Sequence, residues 1–226
     1  VQHLSHWWLG SLTETVTVEP HQILSNKIAT WGDTNITAAS FFIMGDTYSG
    51  GDTLTHFEIW NTETLMSNEI VVKLWNDIDS DGIWSDTDFF ISELEWNGSS
   101  YDTDVFYELG ETGKYFIVTI DIKGNAFVNR IFKAKIYAMA ISTEEEDTGP
   151  VNDITCTNII KVGPIIRFMN SSYTEVDTEF YIGNNLYIEI NDTTANTDNN
   201  IQSINIDLQT NQNFDINTSF ALYETN

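Results

Sequence analysis

KYFIVTIDIK, residues 114–123, decides the fold class: Phe116, Val118, Ile120 and Ile122 alternate with Tyr115, Ile117, Thr119 and Asp121. A period of two places successive side chains on opposite faces, so this stretch predicts a strand with one face toward a core. Working outward, strands are expected at 53–60, 69–75, 89–96, 101–108 and 127–142. The last is long for one strand and is expected to bend or bulge midway. Asn97-Gly98 is a two-residue hairpin signal between Trp96 and Tyr101. Helical periodicity is almost absent. Many short strands punctuated by turns predict an all-β chain whose main body, residues 12–142, is a jelly-roll-like β-sandwich.

Texture changes beyond that body. Glu144-Glu145-Glu146-Asp147 is an acidic run followed by Gly149-Pro150 and Gly163-Pro164, so 143–164 reads as an acidic linker. Residues 165–226 then form a smaller β module, rich in Asn and Thr. Leu186, Ile188 and Ile190 alternate, as do Ile204, Ile206 and Leu208, and Ile216, Thr218, Phe220 and Leu222. About four strands are expected where an immunoglobulin-like sandwich needs about seven, so the module reads as incomplete.

Of the 226 residues, 34 are acidic and 9 basic, a net charge of -25. Such a field repels nucleic acid and anionic membranes and draws cations. At 41% hydrophobic and 13% aromatic, the chain has the material for a core. Cys156 is the only cysteine, which excludes an internal disulfide. A start at Val1 without Met, and no apolar run long enough for a signal peptide or a membrane span, fit a mature secreted protein. Sequons at Asn35, Asn97, Asn170, Asn191 and Asn217 fit an exported glycoprotein, although a chain rich in Asn and Thr produces several by chance.

Residues 1–11 carry Leu4, Trp7, Trp8 and Leu9 and no acidic residue. Two tryptophans are costly to leave in water. Two readings remain open: an edge strand of the same sandwich, or a strand donated to a neighbouring subunit.

The sharpest chemical pattern spans 77–88. Oxygen donors fall at Asp77, Asp79, Asp81, Ser85 and Asp88, a backbone carbonyl at Ile83, and Gly82 stands where the loop must turn. Calcium wants six to eight hard oxygens, and this twelve-residue spacing supplies them, with Asp in place of the usual final Glu. The flanks Val71–Trp75 and Phe89–Ile91 read as strands, so the expectation is a static Ca2+ staple between two strands rather than a helix-loop-helix sensor.

Enzyme patterns are missing. His3 and His6 have no third ligand, and there is no zinc-protease, nucleophile-elbow, phosphate-loop or dinucleotide pattern. A carboxylate pair for glycoside hydrolysis stays open as a rival because acids are so many. Trp7, Trp8, Trp60, Trp84 or Trp96, if exposed, could stack on sugars, which keeps a carbohydrate-binding or adhesion module as the alternative. A core role is the expectation for most of them.

Residues 50–75 (GGDTLTHFEIWNTETLMSNEIVVKLW) and 115–141 (YFIVTIDIKGNAFVNRIFKAKIYAMAI) resemble stretches of the TasA/camelysin-type β-sandwich family. The resemblance spans roughly 40–142 and implies a subunit of extracellular fibres. Related archaeal bundling pili and cannula-type tubes join subunits by donor-strand exchange, the tubes with calcium. The protease name of the camelysin branch does not transfer, since no zinc-protease pattern is present. Residues 183–226 resemble the opening half of an Ig-like surface-layer repeat. Together these readings lead to the expectation of a non-enzymatic, calcium-binding homo-polymer at the cell surface, built by strand exchange.

Overall fold

The computed structural model describes residues 15–45, 52–144, 147–169, 172, 187–191, 203–208 and 218–223. The chain is all-β: among the described residues there is no α-helix, and therefore no helix that could cross a membrane. The chain divides into two compact units, Val1–Ala126 with Arg130–Val162 and Phe127–Asn129 with Gly163–Asn226.

The first unit contains β1 (Thr17–Pro20), β2 (Lys27–Ala29), β3 (Ile36–Met44), β4 (Asp52–Asn61), β5 (Ile70–Asn76), β6 (Phe89–Trp96), β7 (Tyr101–Gly110) and β8 (Lys114–Ile122). It continues with β9 (Ile131–Phe132), β10 (Ala134–Ile136), β11 (Ile141–Thr143), β12 (Thr148–Gly149), β13 (Ile154–Thr155) and β14 (Ile160–Val162). The antiparallel order β1-β3-β8-β5-β6 passes through the β6–β7 hairpin into β7-β4-β10-β13, with β11 beside β4 and β12 beside β11. A parallel bridge from Thr15 to Thr148 joins the approach to β1 with β12. The sheet therefore curls almost into a ring, a flattened barrel or sandwich. Strands β2, β14 and β9 form a small separate sheet in which β2 and β14 are parallel.

The alternation in residues 114–123 does what the period predicts. Phe116, Val118 and Ile120 are fully buried and Ile122 nearly so. They meet Phe41 and Ile43 of β3, Leu54, Phe57 and Ile59 of β4, and Val72 and Leu74 of β5 in one hydrophobic cluster. The two layers touch where Tyr107 of β7 meets Phe116 edge-on, ring centroids 5.9 Å apart. The inward positions of β4 run Leu54, Phe57, Ile59 because the ladder shifts register between Leu54 and His56, which reverses the parity of the strand.

Three expectations change. Residues 143–164 are not a linker: β12, β13 and β14 lie within them and pair with β11, β10, β2 and β9. Ile160 and Val162 are buried in the first unit's core. These strands are two or three residues long, with too little sequence to show a period. At Gly149 an added Cβ would stand 2.1 Å from the carbonyl oxygen of Val16, so this glycine permits close strand contact rather than marking a domain boundary. The single strand expected over 127–142 is three strands, interrupted at Lys133 and over 137–140. The Asn97-Gly98 hairpin has a four-residue loop: Trp96 pairs with Tyr101, and Asn97 N–H donates to the Ser100 carbonyl. The Asn97 side-chain carbonyl also accepts from the N–H groups of Ser99 and Ser100, an Asx arrangement that replaces the two-residue turn.

In the second unit, β15 (Ile165–Met169) pairs antiparallel with β16 (Tyr187–Asn191), and β17 (Ser203–Leu208) with β18 (Thr218–Tyr223). The three alternating stretches expected there correspond to β16, β17 and β18.

Candidate metal centre

Residues 77–88 connect β5 to β6, leaving one strand at Asn76 and entering the next at Phe89. Asp77 is anchored by its own N–H, which donates to the Tyr115 carbonyl at the start of β8 (2.9 Å). Ser80 and Gly82 hold positive φ angles of 58° and 76°, and these reverse the chain. Asp77 Oδ2 accepts from Gly82 N–H (2.8 Å) and Asp81 Oδ1 from Ile83 N–H (2.7 Å). Asp88 closes the loop from its far end: Oδ1 accepts from Ile78 N–H (3.0 Å) and Oδ2 from Ser85 N–H (2.7 Å).

These turns gather Asp77, Asp79 and Asp81 so that one carboxylate oxygen from each lies within 4.8 Å of the others, the only such acidic group among the described residues. Asp88 stands outside that trio, with both oxygens on backbone N–H groups. The Ser85 hydroxyl is engaged with Thr87 Oγ1 at 2.8 Å. Asp77 is buried, and its Oδ1 has no hydrogen-bond partner. Burial pushes its carboxyl above the ordinary aspartate range; the Asp79 side chain and the Asp88 charge push the same way, while the Gly82 N–H opposes them. A buried carboxylate oxygen without a partner, facing other carboxylates, has the chemistry of a hard-cation ligand. Asp77, Asp79 and Asp81 fit such an ion.

Contacts from distant sequence hold the loop down. Trp84 N–H donates to Thr37 Oγ1 (2.9 Å), and His21 Nε2 meets the Ser80 carbonyl (2.9 Å). A Cβ at Gly82 would collide with the Gln22 side chain at 2.2 Å, so the loop needs glycine both for its φ and for this approach. The loop thereby covers the outer face of the β3-β8-β5 layer. Ile117 and Thr119 point away from the main core yet are fully buried. Trp75 Nε1–H donates to Thr119 Oγ1 (2.8 Å), and the Trp75 ring meets Trp84 and Phe90 edge-on. Sequence reading missed Thr37, His21 and Gln22, because nothing local marks a residue that matters through a loop some 40–60 positions away.

The other expected site residues scatter. Leu4, Trp7, Trp8 and Leu9 lie outside the described residues, as do Asn170 and Asn217. Asn191 ends β16 opposite Ile165. Asn97 is exposed, its amide donating to Ser100 Oγ and Asp102 Oδ2. Asn35 is half-buried, and Thr37 of its sequon is buried with its hydroxyl bonded to Trp84. Of Trp60, Trp84 and Trp96, only Trp96 is exposed, at 45%. Burial pushes the Cys156 thiol up to about 11, partly offset by Lys133, so it stays protonated and weakly nucleophilic near neutral pH. No protein-family model and no curated protein matches the chain.

Proposed function

We propose that this chain is an extracellular structural subunit that polymerises with copies of itself into a surface filament, tube or coat, by strand exchange and with bound calcium. The observation that carries this reading is the seam between β6 and β7. These strands pair only at Glu95–Asp102 and Trp96–Tyr101, next to their hairpin. Beyond it, the facing edges of 89–94 and 103–110 have no ladder between them. Side chains alone span the gap, Ser92 Oγ to Thr103 Oγ1 (3.0 Å) and the Phe89 ring to the Tyr107 ring (6.1 Å).

The core is thinly covered along this seam. Ile91, Val105 and Tyr107 pack against it but are only partly buried, while Phe89 and Phe106 are 56% and 79% exposed. Two open strand edges flanking half-covered apolar side chains suit an added strand, which supplies main-chain hydrogen bonds and apolar cover together. The segment carrying Leu4, Trp7, Trp8 and Leu9 has the composition for it, without the acidic residues that fill the rest of the chain.

Calcium fits the same picture. The candidate metal loop ends at Asp88, directly before Phe89, so an ion there would order the first residues of the open β6 edge. Like subunits of charge -25 repel when packed within a Debye length of about 8 Å, and bound cations reduce that repulsion. The carbohydrate-binding alternative calls for a row of exposed tryptophans, and the described residues offer Trp96 alone.

Deleting residues 1–11 tests the reading. The expected product keeps the β circular dichroism spectrum of the full chain but stays monomeric in sedimentation, with no polymer in electron micrographs. Polymerisation equal to that of the full chain would remove strand donation from the account.

A further inference from the structure

Three side chains converge on the outer face of the β3-β8-β5 layer, away from the metal loop. Lys73 of β5 places its Nζ 2.5 Å from Asp121 Oδ2 of β8 and 3.2 Å from the side-chain carbonyl oxygen of Asn35, just ahead of β3. Asp121 uses its other oxygen, Oδ1, to accept the backbone N–H of Asn35 at 2.7 Å. The triangle is closed: one carboxylate holds both the amine and the backbone that carries the amide.

An ordinary ion pair requires only the lysine and the acid. Here a primary amide is held as well, and its placement is enforced. Asn35 sits in the left-handed region at φ 53°. The chain before it is tied to the end of β8 by Gly32 N–H to the Ile122 carbonyl and Ile122 N–H to the Asp33 carbonyl, both 2.9 Å. Ile36 then enters the ladder opposite Ile120, and Lys73 lies opposite Thr119. The Lys73 and Asp121 side chains are only 20% and 16% exposed, and the fully buried Thr119 lies beside them. With a carbonyl bond of about 1.2 Å, the amine lies within roughly 4.4 Å of the amide carbon. A rotation about the lysine's terminal bonds would bring it to near-attack distance.

We propose that Lys73 and Asn35 form an intramolecular isopeptide bond, with Asp121 as the proton carrier. The Asp121 carboxylate takes a proton from the Lys73 ammonium, and the free amine attacks Asn35 Cγ. Asp121, now the acid, protonates the carbonyl oxygen as the tetrahedral carbon forms, and the proton passes on to the amide nitrogen. The cationic Nζ gives its second proton back to Asp121, the Cγ–Nδ2 bond breaks, the leaving ammonia takes that proton from Asp121 and departs as ammonium, and an Nζ–Cγ amide remains. One ammonium ion is released for each bond formed, with no oxidant, cofactor or water consumed. The link would join β5 to the lead-in of β3 across the central β8, in a chain whose single cysteine rules out an internal disulfide. It also excludes glycosylation at Asn35, since both modifications use the same side-chain amide. The bond does not depend on strand exchange or on calcium.

The test is the intact mass of the full chain, produced in a host without N-glycosylation and incubated folded at neutral pH. The expected result is a species lighter by one ammonia and a proteolytic fragment joining the peptides that contain residues 35 and 73. Lys73→Arg, which keeps the charge beside Asp121, should retain the full sequence mass. Asp121→Ala should slow the conversion by about 100-fold or more. A wild-type chain that keeps its full mass overturns the proposal. So does loss of ammonia without the joined peptide, the signature of a cyclic imide at the asparagine, and so does the joined peptide's mass change persisting in Lys73→Arg.

Discussion

At the centre of β8 both faces are buried, by different means. On the inner face, Phe116, Val118 and Ile120 lie against aliphatic and aromatic side chains from β3, β4 and β5. On the outer face, Ile117 and Thr119 are equally dry, but their cover is Trp75, Trp84 and a loop carrying five aspartates. The inner cover is apolar and carries no carboxylate cluster among the described residues. The outer cover is held by turns that crowd carboxylates together, one of them buried with an oxygen unpaired. One strand thus belongs both to a core fixed by hydrophobic burial and to a second, smaller one whose lid carries the aspartate cluster.

The largest expected effect would break the comparison if it failed. Phe116→Ala should lower unfolding free energy by about 3–5 kcal/mol, and Ile117→Ala by about 2–5 kcal/mol. In denaturant titrations the Phe116 loss should be the same with calcium or with chelator. The Ile117 loss should shrink in chelator, where the loop already covers that face less firmly. Equal losses in both conditions for both variants would mean that the lid does not depend on metal.

A smaller effect comes from the ligand itself. Asp77→Asn should weaken calcium binding by about 100-fold, read by calorimetry, and should remove most of the rise in melting temperature that calcium gives the wild type. An unchanged affinity would place the ion elsewhere.

The smallest effect is in pH dependence and sharpens the electrostatic side of the contrast. Because burial raises the Asp77 pKa in the folded chain, the metal-free fold binds this proton more tightly than the unfolded chain does. Its contribution to stability is therefore greatest below the ordinary aspartate pKa. It declines as pH rises through the window between that value and the raised one. Calcium replaces the proton, so the gap between melting temperatures with calcium and with chelator should widen from acidic to neutral pH. A gap independent of pH, or one that narrows, contradicts a buried Asp77 at the site.

How much was legible follows from how local each signal is. The aspartate cluster could be read because Asp77, Asp79 and Asp81 lie within five consecutive residues. Strands β4 to β8 could be read because each runs seven residues or more, rich in β-branched and aromatic side chains and bounded by turn signals. Strand β3 was missed: Ala38 to Phe41 are all buried, so both faces are covered and the alternation disappears. The short strands β9 to β14 were misread because two or three residues show no period. Their place is fixed only when Ile160 and Val162 find the core.

By itself, the sequence determined the strand-rich class, the position of the aspartate-rich loop and the anionic charge, because alternation, spacing and charge are properties of neighbouring residues. Only the tertiary structure decided that the loop would lie over Ile117, that β6 and β7 would part beyond their hairpin, and that Asn35, Lys73 and Asp121 would meet. Each of those depends on ladder register between strands far apart in the chain, and register is set when the whole sheet closes on its core.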